Sequence, residues 1–306
     1  MTSPKMIGTS ARVVNVACVP QRSPFRYPGG KTWLVPCVRR WLKSLGNRPR
    51  TFVEPFAGGA ITGLTVAAEK LADTVVLGEL DEGVAAVWET VLSEDCAWLQ
   101  DRILRFQMTR RNVLRLLGSA PESRRELAFQ TIVRNRANRG GILAPGATLV
   151  NQGENGRGVA SRWYPTTLAA RIAAIAAMKD RISFIRGDAF DWMPPYASSP
   201  DAAFFVDPPY TAAGKRAGRR LYVHSRVDHQ GLFALMGRAA CPVMLTYDES
   251  DEVRELAARY GLRVNAVPMK NTHHAIMYEL VLTNAGAPDS FESSLPLLFT
   301  GADQQT

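Results

Sequence analysis

The chain has 306 residues, enough for one large domain or a domain with an insertion, and its 46% hydrophobic and 21% charged content is that of an ordinary globular protein. No apolar run approaches the roughly 18 residues that a membrane span needs, and the N-terminus lacks a signal-peptide pattern, so the expectation is a cytoplasmic protein with no membrane partner. A formal charge of +9 favours a polyanionic partner or a merely soluble surface. Four cysteines (Cys18, Cys37, Cys96, Cys241) without CxxC spacing argue against zinc and disulfides, leaving free packing thiols.

The stretch "RYPGGK" (26–31) precedes the first helix. Gly29 and Gly30 let a ligand approach the backbone, Tyr27 offers a ring and Lys31 a charge for a carboxylate; a turn leading into a helix explains the same residues. "TFVEPFAGGA" (51–60) reads as a short strand running into a glycine turn, with Ile61, Leu64, Ala67, Ala68 and Leu71 at helical spacing after it. "TVVLGELDE" (74–82) repeats the unit, and two strand-helix units in succession indicate a parallel α/β sheet. Glu79 stands where such folds hold ribose hydroxyls, while Asp81 suits the cap of the following helix.

From about 93 to 164 the texture changes. Ten arginines between 102 and 139 face only Glu122 and Glu126, which fits either a polyanion-binding surface or a solvated helix face. "NRGGILAPGATLVNQGENGRGVASRW" then reads as a long loop or small hairpin. A helix starts near Pro165, after which "RISFIRGDAFDWM" and "AAFFVDPPY" read as strands ending in acids. Helices are expected over 228–240 and 250–260, and strands over 242–247, 262–268 and 276–283. His224, His229, His273 and His274 form no metal-ligand pattern, Asp228 suits a cap before His229, and Tyr247 fits core packing better than a pocket. The acids and glycines therefore gather at the carboxyl ends of strands, where open α/β sheets bind ligands.

"DPPY" (207–210) decides the chemistry. Asp207 and Pro208 each precede a proline, so both are extended and neither starts a helix. A carboxylate and a backbone carbonyl so fixed can accept both hydrogens of an –NH₂ group while Tyr210 stacks on the plane bearing it, a site for the exocyclic amine of a nucleobase. Acceptors aimed at developing positive charge act by preorganisation, and alignment supplies proximity. No metal is required.

RYPGGK, FVEPFAGG, LGELDE, GDAFD and DPPY, in this order over about residues 25–284, resemble the motifs of Dam-type (alpha-group) DNA adenine methyltransferases, which use S-adenosylmethionine. The resemblance implies a Rossmann-like methyltransferase sheet with helices on both faces and a mainly helical target-recognition insertion: catalytic domain over 1–92 and 165–285, insertion over 93–164, tail over 286–306. It implies cofactor contacts from Tyr27, Gly29, Gly30, Lys31, Glu54, Pro55, Phe56, Gly58, Gly59, Glu79, Asp188 and Asp207. The catalytic motif would be Asp207, Pro208, Pro209 and Tyr210. It further implies double-stranded DNA as partner, a flipped adenine as target, a nucleoid-associated location through DNA binding and a monomer or weak dimer. "NRANRGG" resembles the family's segment leading into DNA-contacting structure. The DNA contacts expected are Arg110, Arg111, Arg134, Arg136, Asn138 and Arg139, with Lys215 and Arg219 in a basic loop that either closes over the base or is plain charged surface. The alternatives are a cytosine exocyclic-amine methyltransferase and an inactive DNA-binding relative.

Overall fold

The computed structural model describes residues 19–26, 30–209, 227–270 and 276–284. Among them one sheet holds β1 (Thr51–Glu54), β2 (Thr74–Glu79), β3 (Ile182–Arg186), β4 (Ala202–Val206), β5 (Val243–Asp248), β6 (Arg263–Lys270) and β7 (Ile276–Thr283), in the order β3-β2-β1-β4-β5-β7-β6. Strands β1 to β5 pair in parallel, and β7 runs antiparallel between β5 and β6. The chain builds outward from β1 through β2 to β3, then crosses back to β4 on the other side of β1. The direction of winding thus reverses between β1 and β4, the point at which open α/β sheets leave a crevice.

Alternation along each strand sends side chains to two separate cores. Phe52, Val75, Leu77, Ala203 and Phe205 enter one, while Val53, Val76, Phe204 and Val206 enter the other. The first core is covered by α1 (Val35–Ser44), α2 (Ile61–Glu69), α3 (Glu82–Val91), α4 (Cys96–Arg105), α5 (Arg110–Gly118), α6 (Arg124–Ala137) and α7 (Pro165–Ala176). The second is covered by α8 (Ala189–Ala197), α9 (His229–Gly237) and α10 (Asp251–Arg259). This is the Rossmann-like α/β architecture expected, with helices on both faces. Each fully buried Phe or Leu in it contributes about 1.5–3 kcal/mol.

Helices α4 to α6, from the region 93–164, bury their apolar stripes in the same cluster as the sheet, Leu99, Val113, Phe129 and Ile132 among them. They thicken one flank of the sheet, with α6 packed along α3 and α4 along α7. Caps follow the sequence: Asp81, Thr109, Ser123, Asp228 and Ser250 each accept a backbone N–H of the first helical turn. Helix α8 is the element that the sequence hid. It carries Pro194 and Pro195 internally, each removing a helical donor, yet Ala189, Met193 and Ala197 recur every fourth residue and bury one stripe. Cys37, Cys96 and Cys241 are buried, as expected of packing thiols, and Cys18 lies outside the described residues.

Gly78 lies in β2 beneath Trp192, and a Cβ there would stand 2.1 Å from Trp192 Cζ2 and 3.0 Å from the carbonyl oxygen of Pro55. Gly78→Ala is therefore expected to cost about 1–3 kcal/mol of stability in denaturant titration, an overpacking effect that Trp192→Leu in the same chain should relieve.

Candidate functional site

The turn after β1 is built by carboxylates. Gly58 and Ala60 take left-handed conformations, φ +46° and +49°, so the chain reverses sharply into α2 without a side-chain cap at its N-terminus. Glu54, the last residue of β1, supplies the missing acceptor: its Oε2 takes the N–H of Gly63 at 2.7 Å. Only glycine fits at 63, because a Cβ would come within 2.6 Å of that oxygen. From the tip of β2, Glu79 Oε2 accepts from Gly58 N at 3.0 Å, and Oε1 accepts from Leu80 N at 2.8 Å and Asp81 N at 2.9 Å. Trp88 Nε1 donates to the Gly58 carbonyl at 3.0 Å. Gly58 is thus gripped on both sides of its peptide. Asp81 meanwhile caps α3 through Val84 N, so capping and the site fall to two different acids, as the sequence allowed.

The tip of β4 carries Asp207. Its Oδ1 lies 3.0 Å from Lys31 Nζ and accepts a hydrogen bond from Thr246 Oγ1 at 2.8 Å. Lys31 is buried and also pairs with Glu279 Oε1, on β7, at 2.9 Å. Burial opposes its charge, but the two carboxylates outweigh that and raise its pKa. One ammonium therefore ties the segment before α1, the central strand tip and the antiparallel β7 into a single network. The sequence assigned Lys31 to a ligand; the structure gives it to Asp207 and Glu279.

These groups line one cavity of about 500 Å³. Gly30, Lys31, Glu54, Pro55, Phe56, Gly59, Glu79, Asp188, Asp207 and Pro209 border it, while Gly58 and Pro208 stand behind its wall. Asp188, at the tip of β3, caps α8 by accepting from Phe190 N at 3.0 Å. Leu80 and Phe190, which the sequence reading passed over, add apolar faces beside Glu79 and Asp188. Tyr247 is buried in the second core and hydrogen-bonds His229 Nδ1 at 3.0 Å, the packing role expected of it. Tyr27, Gly29, Tyr210, Lys215 and Arg219 lie outside the described residues.

The expected DNA contacts divide. Arg110, Arg111 and Arg139 are exposed, and Arg134 is half-buried. Arg136 and Asn138 are a correction: both are buried, and both serve the protein's own backbone. Arg136 Nη2 donates to the Pro24 carbonyl at 2.5 Å, and Asn138 Nδ2 to that of Ile142 at 2.7 Å. Asn135 of the same motif clamps Arg26, accepting its N–H at 2.9 Å and donating to its carbonyl at 3.0 Å. "NRANRGG" is thus a fastening between α6 and the N-terminal segment. Part of the arginine field is neutralised internally: Arg124 and Arg125 pair with Asp95, Arg105 with Asp101, and Arg102 lies over the Phe129 ring.

No family model matches the chain, and no curated protein matches it. Solved structures similar to it include an rRNA methyltransferase from Streptomyces viridochromogenes (16% identity, 84% of this chain and 85% of that chain, TM-score 0.36). A precorrin-6y C5,15-methyltransferase from Geobacter metallireducens aligns at 10% identity over 80% of this chain and 86% of that chain, TM-score 0.35. An M1A22 tRNA methyltransferase from B. subtilis aligns at 10% identity over 85% and 74%, TM-score 0.35. Likeness at this level reaches neither substrate nor reaction.

Two of the cavity acids are pushed toward neutrality. Burial raises Glu54 to about 8, with Asp207 adding to the shift and the Gly63 N–H opposing it. Burial likewise raises Glu79 to about 7 against its three backbone donors. In the unfolded chain both release their protons near the ordinary value of 4.5, so between about pH 5 and 8 the folded state holds more protons than the unfolded one. Stability from this source is full at the acid end and lost as pH rises through 7 to 8. The thermal midpoint of the ligand-free protein should fall across that window, and Glu54→Gln, which keeps an acceptor for Gly63, should flatten the fall. Lys31→Met is expected to cost about 3–5 kcal/mol by leaving buried Glu279 and half-buried Asp207 without their cation, read by denaturant titration.

Proposed function

We propose that this protein is a site-specific DNA adenine-N6 methyltransferase, transferring a methyl group from S-adenosylmethionine to an adenine flipped out of double-stranded DNA. One observation carries the reading: Asp207, at the tip of the central strand β4, is oriented by Lys31 and Thr246 on the wall of a cavity at the winding reversal of the sheet.

The cavity suits the cofactor. Its volume is that of a small-molecule site, and acids held near neutrality by burial favour a ligand that brings positive charge or hydroxyl donors. Glu79 would hold the ribose hydroxyls and Asp188 the amine of the cofactor's adenine, with Leu80 and Phe190 beside its ring. Gly59 and the gripped Gly58 turn would leave room for the methionine end. The cofactor, when bound, supplies an electrophilic methyl group on sulfonium.

The remaining steps belong to this chain. Asp207 and the backbone carbonyl that follows it accept the two N–H bonds of the incoming exocyclic amine, which returns electron density to a nitrogen otherwise conjugated with the ring. As that nitrogen forms its bond to the methyl carbon, with the carbon–sulfur bond breaking and the thioether leaving neutral, it becomes positive until it gives up one proton to solvent, and fixed acceptors would stabilise that charge without reorganising. Lys31 and Thr246 hold Asp207 in place, so Glu279, one step further back, acts on orientation alone. An adenine buried in a duplex cannot reach Asp207, which is why the reading requires base flipping.

The test is transfer of label from methyl-labelled cofactor to unmethylated duplex DNA, followed by digestion to nucleosides. Label on N6-methyl-2′-deoxyadenosine from the DNA is expected. Label confined to cytosine, or to RNA offered in parallel, overturns the substrate, and no label on any nucleic acid overturns the enzyme. Asp207→Ala should lower transfer by at least about 10²-fold, the scale of losing one preorganised group, with duplex affinity kept.

A further inference from the structure

Three arginines stand around the cavity in an arrangement that the reading so far does not use. Arg171, on α7, and Arg26, before the first helix, both line it. Arg136, on α6, is 7% exposed and sits behind them. All three are positioned by the segment 23–26: Arg171 Nη1 lies 3.5 Å from the Ser23 carbonyl, Arg136 Nη2 donates to that of Pro24, and Arg26 has its own backbone clamped by Asn135. Arg136 Nε is buried with no hydrogen-bond partner.

Among the described residues no carboxylate forms an ion pair with any of the three. This sets them apart from Arg39, Arg105, Arg124, Arg125 and Arg254, each within reach of an acid. Burial lowers the pKa of all three. Arg136 falls to about 10, with the charges of Arg171 and Arg26 adding to the effect, and Arg162 acts the same way on Arg26. Gathering like charges in a half-buried wall without a counterion is unfavourable, and an anion placed among them relieves it.

We infer that Arg171 and Arg26, with the buried charge of Arg136 behind them, form a phosphate-binding wall that takes the backbone of the nucleic-acid strand whose base is presented to Asp207. The inference rests on the reading that this cavity receives a nucleobase. A base that reaches Asp207 remains joined to its own sugar and phosphates, so a cavity with an acceptor at one wall must meet anionic oxygens at another. The acids Glu54, Glu79, Asp188 and Asp207 all lie at strand tips, whereas the arginines come from the N-terminal segment, α6 and α7. Guanidinium forks match phosphate oxygens bidentately. Two of them lining one cavity can engage two successive phosphodiesters, one each.

The test compares full-length wild-type protein with Arg171→Ala and Arg26→Ala, using anisotropy of a fluorescent unmethylated duplex over a salt series. Calorimetric titration with S-adenosylmethionine is run on the same preparations. Each alanine variant should make the slope of log affinity against log salt shallower by about one, and Arg171→Lys should restore it. Cofactor affinity should stay within about twofold of wild type, since a phosphate contact acts on nucleic acid alone. Unchanged slopes in both alanine variants overturn the inference. So does a loss confined to cofactor affinity, which would assign the wall to the cofactor's carboxylate. If the slopes fall while wild-type protein methylates nothing, the phosphate wall stands and the enzymatic reading fails.

Discussion

A sheet whose winding reverses between two neighbouring parallel strands must leave their carboxyl ends side by side and uncovered. Here both strands finish in acids, Glu54 on β1 and Asp207 just past β4, so like charges meet where the fold is most open to a ligand. The molecule manages the conflict in two ways. Glu54 turns to the N-terminus of α2 and is pushed toward the neutral form, while Asp207 receives the buried ammonium of Lys31. Because Lys31 also takes Glu279, the antiparallel strand β7 is recruited to hold the catalytic candidate.

The same economy governs the glycine turn. Glu79 takes the N–H of left-handed Gly58 and, with the other oxygen of the same carboxylate, those of Leu80 and Asp81, so the turn after β1 and the tip of β2 are tied together. A group that must hold a turn and then accept a ligand's hydroxyls has competing demands on its lone pairs, and burial raises its pKa although its three backbone donors favour the charged form. Trp88 reduces the conflict by fixing the carbonyl side of Gly58 from α3, so the turn does not depend on Glu79 alone. The turn is consequently preformed before any ligand arrives.

Much of this was legible in the sequence because strand tips, caps and turns are local. Apolar runs ending in Glu79, Asp188 and Asp207, the glycine pair at 58 and 59, and Asp81 before α3 announce themselves through residue types that only a few conformations use. Helix α8 was not legible, since Pro194 and Pro195 argue locally against a helix that long-range burial of Met193 nevertheless holds. The network behind Asp207 was hidden for the same reason. Thr246 and Glu279 are distant in sequence, and the only local sign of Glu279 is an acid set inside the apolar run "MYELVLT". "NRANRGG" misled because arginine and asparagine serve equally well as surface contacts and as donors to buried carbonyls, and burial alone separates the two.

That last point changes how the two halves of the molecule relate. Helix α6 comes from the region expected to meet DNA, yet its Asn135 and Arg136 fasten residues 24–26, the approach to the cofactor motif. Arg171 of α7 reaches the same segment. The approach to Lys31, and through Lys31 to Asp207, is thus held by α6 and α7. Anything that shifted α6 would bear directly on the carbonyls that α6 grips, and only a handful of residues separate those carbonyls from the ammonium paired with Asp207. A rigid core transmits such a shift because it is close-packed, and α6 lies against α3, whose Trp88 grips the glycine turn. The region expected to meet DNA and the acids of the cavity, assigned by the sequence to separate parts of the chain, therefore meet at one short segment, residues 24–26.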